Sequence, residues 1–199
     1  LLAHNGQDCD ITVIEGVMGY YDGVGLTTAK GSTYEIARVT NSPVVLVVGV
    51  RGAALSALAT IQGFLDFAPD NRIQGVILNR CTAMTYPALA AEIEKRFGIR
   101  AYGFLPEMPG CALESRHLGL KTAGEIADIQ EKIALLADCL VMDWAKLAAV
   151  TERPCPEGGR LSPRETASAS VRIAVARDGA FCFTYAETLD ALRETGAEP

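Results

Sequence analysis

An α/β fold built on a doubly wound, mostly parallel sheet is predicted by three observations. Short β-branched runs (VVLVVGV at 44–50, IQGVILN at 73–79, RAYGFL at 100–105) alternate with segments of helical periodicity. The intervals between them fit right-handed crossovers. Polar residues or prolines gather where each run ends, where the chain of an open α/β sheet leaves the sheet.

Taken in order, LLAHNGQDCD reads as the end of a helix running into a strand, and a start at Leu1 rather than Met leads us to expect a fragment of a longer protein. The stretch 11–25, ITVIEGVMGYYDGVG, organises the chain. Ile11, Val13 and Ile14 predict a buried strand, and Gly16, Gly19, Gly23 and Gly25 then permit tight turns and close ligand approach. Glu15 stands at the join. It reads either as a solvated loop acid or as a carboxylate offered to a metal ion or substrate at the strand's carboxyl end.

GSTYEIARVTN (31–41) predicts a short helix with Ser32 or Thr33 as N-cap, Glu35 favourably placed in the first turn and Pro43 as terminator. The run 44–50 is a central parallel strand, covered on both faces, and 53–67 is a helix ending before Pro69. The strand 73–79 ends in Asn79 and Arg80, the helix 87–97 is capped by Gly98, and the strand 100–105 stops at Pro106 and Pro109. Ile126, Ile129, Ile133, Leu136 and Leu140 recur at three- and four-residue steps, predicting one long amphipathic helix over 122–147. Residues 151–170 have a linker's composition. The tail predicts a strand (171–176) and a helix (186–195), too little to bury a core and so read as the beginning of a second domain.

Composition excludes several function classes. With a net charge of −6 and 18 Lys and Arg dispersed along the chain, neither a nucleic-acid-binding surface nor an anionic-membrane patch is expected. No apolar run approaches the roughly 20 residues of a membrane span. The six cysteines form no CxxC pair or zinc-spaced cluster and read as reduced thiols, which makes a cytoplasmic location the default. Small molecules or proteins are the expected partners.

The strings IEGVMGYYDG, GSTYEIAR, VILNR, ESRHLGL and IAVARDGAFCFTYAETLDALRETGAE resemble the cobyrinic acid a,c-diamide synthase family, in the family's order and over nearly all of the chain. The nickel-sirohydrochlorin a,c-diamide synthases share the pattern. The resemblance implies a P-loop NTPase fold of the dethiobiotin-synthetase type, here residues 1–150 without its amino-terminal part, a linker at 151–170, and the start of a glutaminase domain at 171–199. It further implies a ligase that consumes ATP and glutamine. A carboxylate of a corrin-type tetrapyrrole is phosphorylated, and ammonia attacks the acyl phosphate. Homodimers occur among related ATPase domains, so a dimer is implied by analogy.

The same resemblance assigns residues. Glu15 takes the magnesium-binding position, with a second reading in which it places the substrate carboxylate. Tyr21, Asp22 and Gly23 form the corrin-facing loop, although Asp-Gly would serve equally as a turn. Ser32 is an anion contact or simply a cap. Asn79 reads the adenine edge, Arg80 assists it or is solvated, and Arg116 holds a carboxylate or phosphate through paired hydrogen bonds. His4 and His117, the only histidines, stand beside no nucleophile.

Two departures stand out. No GxxxxGK[ST] occurs in these residues, and the glutaminase cysteine is absent, since Cys182 comes too early and its neighbours Phe181 and Phe183 predict a packed, inert thiol. These residues alone are not expected to hydrolyse ATP or glutamine. A non-catalytic module holding a tetrapyrrole or a partner on the same scaffold is the competing reading. A partition-type ATPase would explain the strands but neither ESRHLGL nor the tail.

Overall fold

The computed structural model describes residues 2–6, 9–113, 126–153, 171–179 and 181–199. They fall into two compact units, one reaching residue 153 and the other formed by 171–199. The first unit follows the order α1 (Leu2–Asn5), α2 (Thr33–Val39), β1 (Val44–Gly49), α3 (Leu55–Phe67), β2 (Ile73–Asn79), α4 (Tyr86–Phe97) and β3 (Arg100–Leu105). A 3₁₀ turn (Pro109–Cys111), α5 (Ile129–Cys139), β4 (Val141–Met142) and α6 (Trp144–Thr151) complete it. The fold is α/β, as expected, with a sheet of order β1-β2-β3-β4 in which only β4 runs antiparallel.

The strands form where the apolar runs predict them, but 44–50 is corrected from a central strand covered on both faces: β1 is the edge of the described sheet, paired only with β2, and Val47 is 66% exposed. Leu46, Val48, Val76 and Leu78 share a core with Ala57, Leu58 and Ile61 of α3 and Ile93 of α4. Ile61, Val76 and Leu78 are completely buried, and burial of such a side chain stabilises by about 1.5–3 kcal/mol. Register aligns the strand ends: Gly49 pairs with Asn79, and Asn79 with Leu105. Beyond that row Val50 donates its N–H to the Asn79 carbonyl, and Cys81 donates to that of Leu105, so the three carboxyl ends stay stitched together.

Three further expectations are corrected. Ile11–Ile14 is not a strand: it is unpaired, Val13 is 86% exposed, and no backbone hydrogen bond ties residues 11–14 to the described sheet. A β-branched run becomes a strand only when a ladder partner takes its polar backbone. The single helix expected over 122–147 is two, α5 and α6, separated by β4. Leu140 turns extended, the Asp143 N–H donates to the Tyr102 carbonyl at 2.7 Å, and the Asp143 carboxylate caps α6 by accepting from the Lys146 N–H at 3.0 Å. Pairing β4 with Gly103 also demands a residue without a side chain, since a Cβ there would lie 2.0 Å from the Val141 carbonyl oxygen.

In the second unit the strand expected over 171–176 is reduced to β5 (Val171–Arg172), paired in parallel with β6 (Ala197–Glu198), and α7 spans Ala186–Glu194. Cys182 is exposed, as are Phe181 and Phe183, so the packed thiol is the third correction. One helix and two short strands offer too little surface to enclose it. The linker residues 154–170 lie outside the described residues. Among the described residues no helix is long and apolar enough to cross a membrane.

The opening segment is held to this frame by tyrosines. Tyr20 donates its hydroxyl to the Asn71 carbonyl, and Tyr21 donates to that of Phe64 at 2.7 Å. The Tyr21 ring lies 4.8 Å from Tyr20, 5.2 Å from Tyr34 and 4.6 Å from Phe67, contacts of the offset and tilted kind that add about 0.5–1.5 kcal/mol each. Tyr34 in turn donates to Asp70 at 2.5 Å, and the Arg38 guanidinium approaches the other carboxylate oxygen at 2.5 Å. Together they hold the Asp70 carboxyl below the ordinary carboxylate range, the Tyr34 hydrogen bond contributing most.

A depressed folded-state pKa gives stability that is present above the unfolded value and lost as pH falls through the folded one. Asp70→Asn is therefore expected to lower the denaturant midpoint at pH 7, with the deficit against the parent shrinking as the pH is taken below about 4, the ordinary aspartate range. Urea titrations at pH 7 and pH 3 check this; a deficit equal at both would assign Asp70 no electrostatic role.

Candidate functional site

Two groups of the residues singled out by sequence are found in different places. The first is carried by the segment that precedes α2. Gly16, next to Glu15, packs against the Thr33 side chain in the first turn of that helix. Glu15 itself is exposed, and among the described residues nothing bonds its carboxylate. Seven residues on, Asp22 donates its N–H to the Gly19 carbonyl at 2.9 Å, while its carboxylate remains exposed. Gly23 opens a closed loop in which Val24 donates to the Lys30 carbonyl at 2.9 Å and Gly25 bridges Thr28. The backbones pass so near that a Cβ on Gly23 would sit 2.3 Å from the Lys30 oxygen.

Ser32 does what its place before a helix permits. Its side chain is 1% exposed, and its hydroxyl accepts from the Glu35 N–H at 3.2 Å, while the Glu35 carboxylate accepts from the Gly31 N–H. This reciprocal arrangement is a capping box displaced by one residue, and it occupies the group expected to meet an anion. Tyr21 is likewise engaged at its hydroxyl. What it leaves available is ring surface beside Phe67, which is 72% exposed.

The second group lies at the carboxyl edge of the sheet. Asn79 ends β2, and its Oδ1 accepts from the Arg80 N–H at 2.9 Å; its amide NH₂ has no partner among the described residues. Arg80 adopts a left-handed backbone (φ 56°), a conformation costly for a non-glycine residue and one that turns the chain sharply away. The Arg80 side chain is exposed. Arg116 lies outside the described residues, as does ESRHLGL.

The structure does not bring Tyr21 and Asn79 together. Tyr21 meets Phe64 and Phe67 in the last turns of α3, which lead to the amino end of β2, and Asn79 is at the other end of that seven-residue strand. The strand's length separates the two edges by about 20 Å.

Sequence reasoning missed two arrangements. One is the aromatic cluster of Tyr20, Tyr21, Tyr34, Phe64 and Phe67, for which the three-residue spacing of the phenylalanines near the end of α3 was the available signal. The other is the ion pair of Arg51 and Glu107, 2.8 Å apart, which follow β1 and β3 respectively. Each sits two residues past the end of a strand, but nothing in the sequence pairs them.

A magnesium ion needs hard oxygen ligands, and with a nucleotide one or two carboxylates suffice because phosphates and water complete the octahedron. Glu15 fits that requirement, being accessible and unpaired. Among the described residues no cluster of three or more His, Cys, Asp or Glu forms a cage that would bind a metal without phosphates.

Comparison with known proteins covers the same residues. A cobyrinate a,c-diamide synthase of Listeria monocytogenes serotype 4b is 38% identical over 99% of this chain, and that of Priestia megaterium is 38% identical over 100%. The Limosilactobacillus reuteri protein of the same name is 34% identical over 100%. The chain spans about 44% of the length of each of these curated relatives. No solved structure matches it. The family model described as an AAA domain matches residues 2–115, which hold both groups of exposed polar residues and the parallel strands between them. The chain thus belongs to this AAA domain family and resembles, from end to end, proteins named cobyrinate a,c-diamide synthase.

Proposed function

We propose that the chain is part of a ligase that uses ATP and glutamine to amidate the a and c side-chain carboxylates of a corrin-type tetrapyrrole through an acyl phosphate. The observation that carries this reading is the similarity along the whole chain to synthases of that name. The free carboxylates of Glu15 and Asp22 and the free amide of Asn79 support it.

Each residue then has a task its surroundings permit. Glu15 would hold magnesium, which supplies charge neutralisation between the phosphate oxygens during phosphoryl transfer. Asp22, on a loop whose backbone is fixed by Gly23 and the Val24–Lys30 hydrogen bond, presents acceptor oxygens to the side-chain amides and acids of the tetrapyrrole. The Tyr21 and Phe67 rings, tilted 42° to each other, offer an apolar surface to the macrocycle, and the Tyr21 hydroxyl, bonded to the Phe64 carbonyl, fixes the ring's tilt. Ser32 acts through the cap that shapes the start of α2. Asn79 reads the nucleotide base with its free NH₂, Arg80 lies beside it, and Arg116 completes a contact to carboxylate or phosphate.

Ammonia in this reading comes from glutamine, released by a glutaminase domain that begins with residues 171–199 and is joined to the ATPase domain of residues 1–150 by the linker 151–170. The reaction runs in the cytoplasm, where corrin acids and ATP are both soluble, and the protein works as a homodimer.

In the protein expressed from its complete gene, Glu15→Gln is expected to abolish ATP-dependent amidation while the thermal unfolding midpoint stays within a degree or two. Retained turnover would remove Glu15 from the metal site. Asp22→Asn should reduce the amidation rate by about tenfold, the scale of one charge-assisted hydrogen bond, and should alter the order in which the two carboxylates react. Product analysis by mass spectrometry during the first turnovers checks this, and an unchanged rate and order would exclude Asp22 from the tetrapyrrole site.

A further inference from the structure

The ion pair between Arg51 and Glu107 occupies an unusual place. Gly49, Asn79 and Leu105 form one row across the sheet, and Arg51 and Glu107 each lie two residues beyond the outer members of that row. β1 and β3 are two strand spacings apart, about 10 Å, and β2 ends between them. A contact of 2.8 Å between side chains from the two outer strands therefore spans the carboxyl end of β2, where Asn79 stands.

The pair is also chemically incomplete. Arg51 engages only the Oε1 of Glu107, and among the described residues Oε2 has no partner. The Asn79 NH₂ is free as well, its Oδ1 being taken by the Arg80 N–H. One edge of the sheet thus presents a fixed acceptor that cannot donate, together with a free donor. Arg51 limits the rotation of the Glu107 carboxylate, which is tethered by one oxygen. Both side chains are substantially exposed, 68% and 41%, so as a stabilising element the pair contributes little and its geometry calls for another explanation.

Resting on the assignment of this edge to the nucleotide base, we propose that Glu107, tethered by Arg51, selects a base carrying an exocyclic amino group. The free Oε2 accepts a hydrogen bond from such an amino group, and the Asn79 NH₂ donates to the adjoining ring nitrogen. A base with an oxo group at the same position sets a lone pair against a carboxylate, leaving both acceptors unpaired, an arrangement that discriminates more strongly than a missing contact. Glu107 is thus a specificity-determining residue, and Arg51 a positioning residue acting through it.

The test compares ATP with inosine triphosphate, in which an oxo group replaces the amino group and the adjoining ring nitrogen carries a hydrogen, by titration calorimetry on the protein from its complete gene with magnesium and no tetrapyrrole. The parent is expected to prefer ATP by at least about tenfold. Glu107→Gln, whose amide can donate to the oxo group, should narrow the ratio several-fold, chiefly by tightening inosine triphosphate, with the preference that remains set by the Asn79 NH₂ against the ring N–H. Arg51→Ala should weaken ATP several-fold, with part of the loss recovered in Arg51→Lys. A ratio unchanged in Glu107→Gln, with ATP binding weakened in Asn79→Ala, would overturn the proposal and make the ion pair a clamp between strand ends. If Asn79→Ala and Glu107→Gln both leave ATP binding and the ratio unchanged, the base-site assignment itself fails. Thermal unfolding of each variant separates either result from loss of fold.

Discussion

The row of backbone pairing that runs from Gly49 through Asn79 to Leu105 is the constraint on which the rest depends. Parallel strands have no tight turn between them, and their alignment is set by helices that must return the chain the full length of the strand. α3 and α4 make those returns, and their burial of Ala57, Leu58, Ile61 and Ile93 against Leu46, Val48, Val76 and Leu78 fixes where each strand stops. Because all three stop at one level, the residues just beyond them share an edge. Val50, Arg51, Asn79, Arg80, Cys81 and Glu107 become neighbours by register alone, with no sequence proximity.

That register also accounts for what could be read from sequence. β2 and β3 were legible because most of their side chains are buried by their own neighbours, whereas β1 was legible as a strand but not as an edge, since an all-apolar run does not say which face stays uncovered. Ile11–Ile14 has the same composition and no ladder. Composition reports that a segment could pair, and only tertiary structure says with what. The long helix failed differently: the three- and four-residue repeat continues through Leu140, and the break comes from Asp143, whose cap and backbone bond to Tyr102 outweigh the continuation of one turn of helix. An aspartate in an apolar repeat was the signal.

The candidate site was legible to a similar degree and for similar reasons. Asn79 was recognisable as a strand end, and the structure leaves its donor free. Tyr21 and Ser32 were recognisable as members of a motif, and the structure gives both hydroxyls to backbone groups, that of Ser32 to the nearby Glu35 N–H and that of Tyr21 to the distant Phe64 carbonyl. A side chain near a helix start has competing partners within a few residues, which sequence does not rank, and a partner in another helix is set only by the fold. The pair formed by Arg51 and Glu107 was illegible because its members are 56 positions apart and meet only through the register.

Freedom from a partner is not in itself a mark of function. Asp10, Asp138 and Glu152 are as unpaired among the described residues as Glu15 and Asp22 are, and they are ordinary solvated acids. Asp70, Glu92, Asp128 and Asp143 are instead held by cations, and such acids have structural work already. What distinguishes Glu15 and Asp22 is the backbone beside them. Gly16 lets the chain lie against the Thr33 side chain, and Gly23 lets it pass against Lys30 where the Asp22 and Val24 backbone hydrogen bonds hold the loop. A solvated acid on a mobile loop would lose orientational freedom on binding a ligand; Asp22, beside that bonded loop, has lost part of it already. Positional restraint combined with an unengaged charge separates a binding carboxylate from a solubilising one, and in the described chain that combination arises where glycines hold the backbone close.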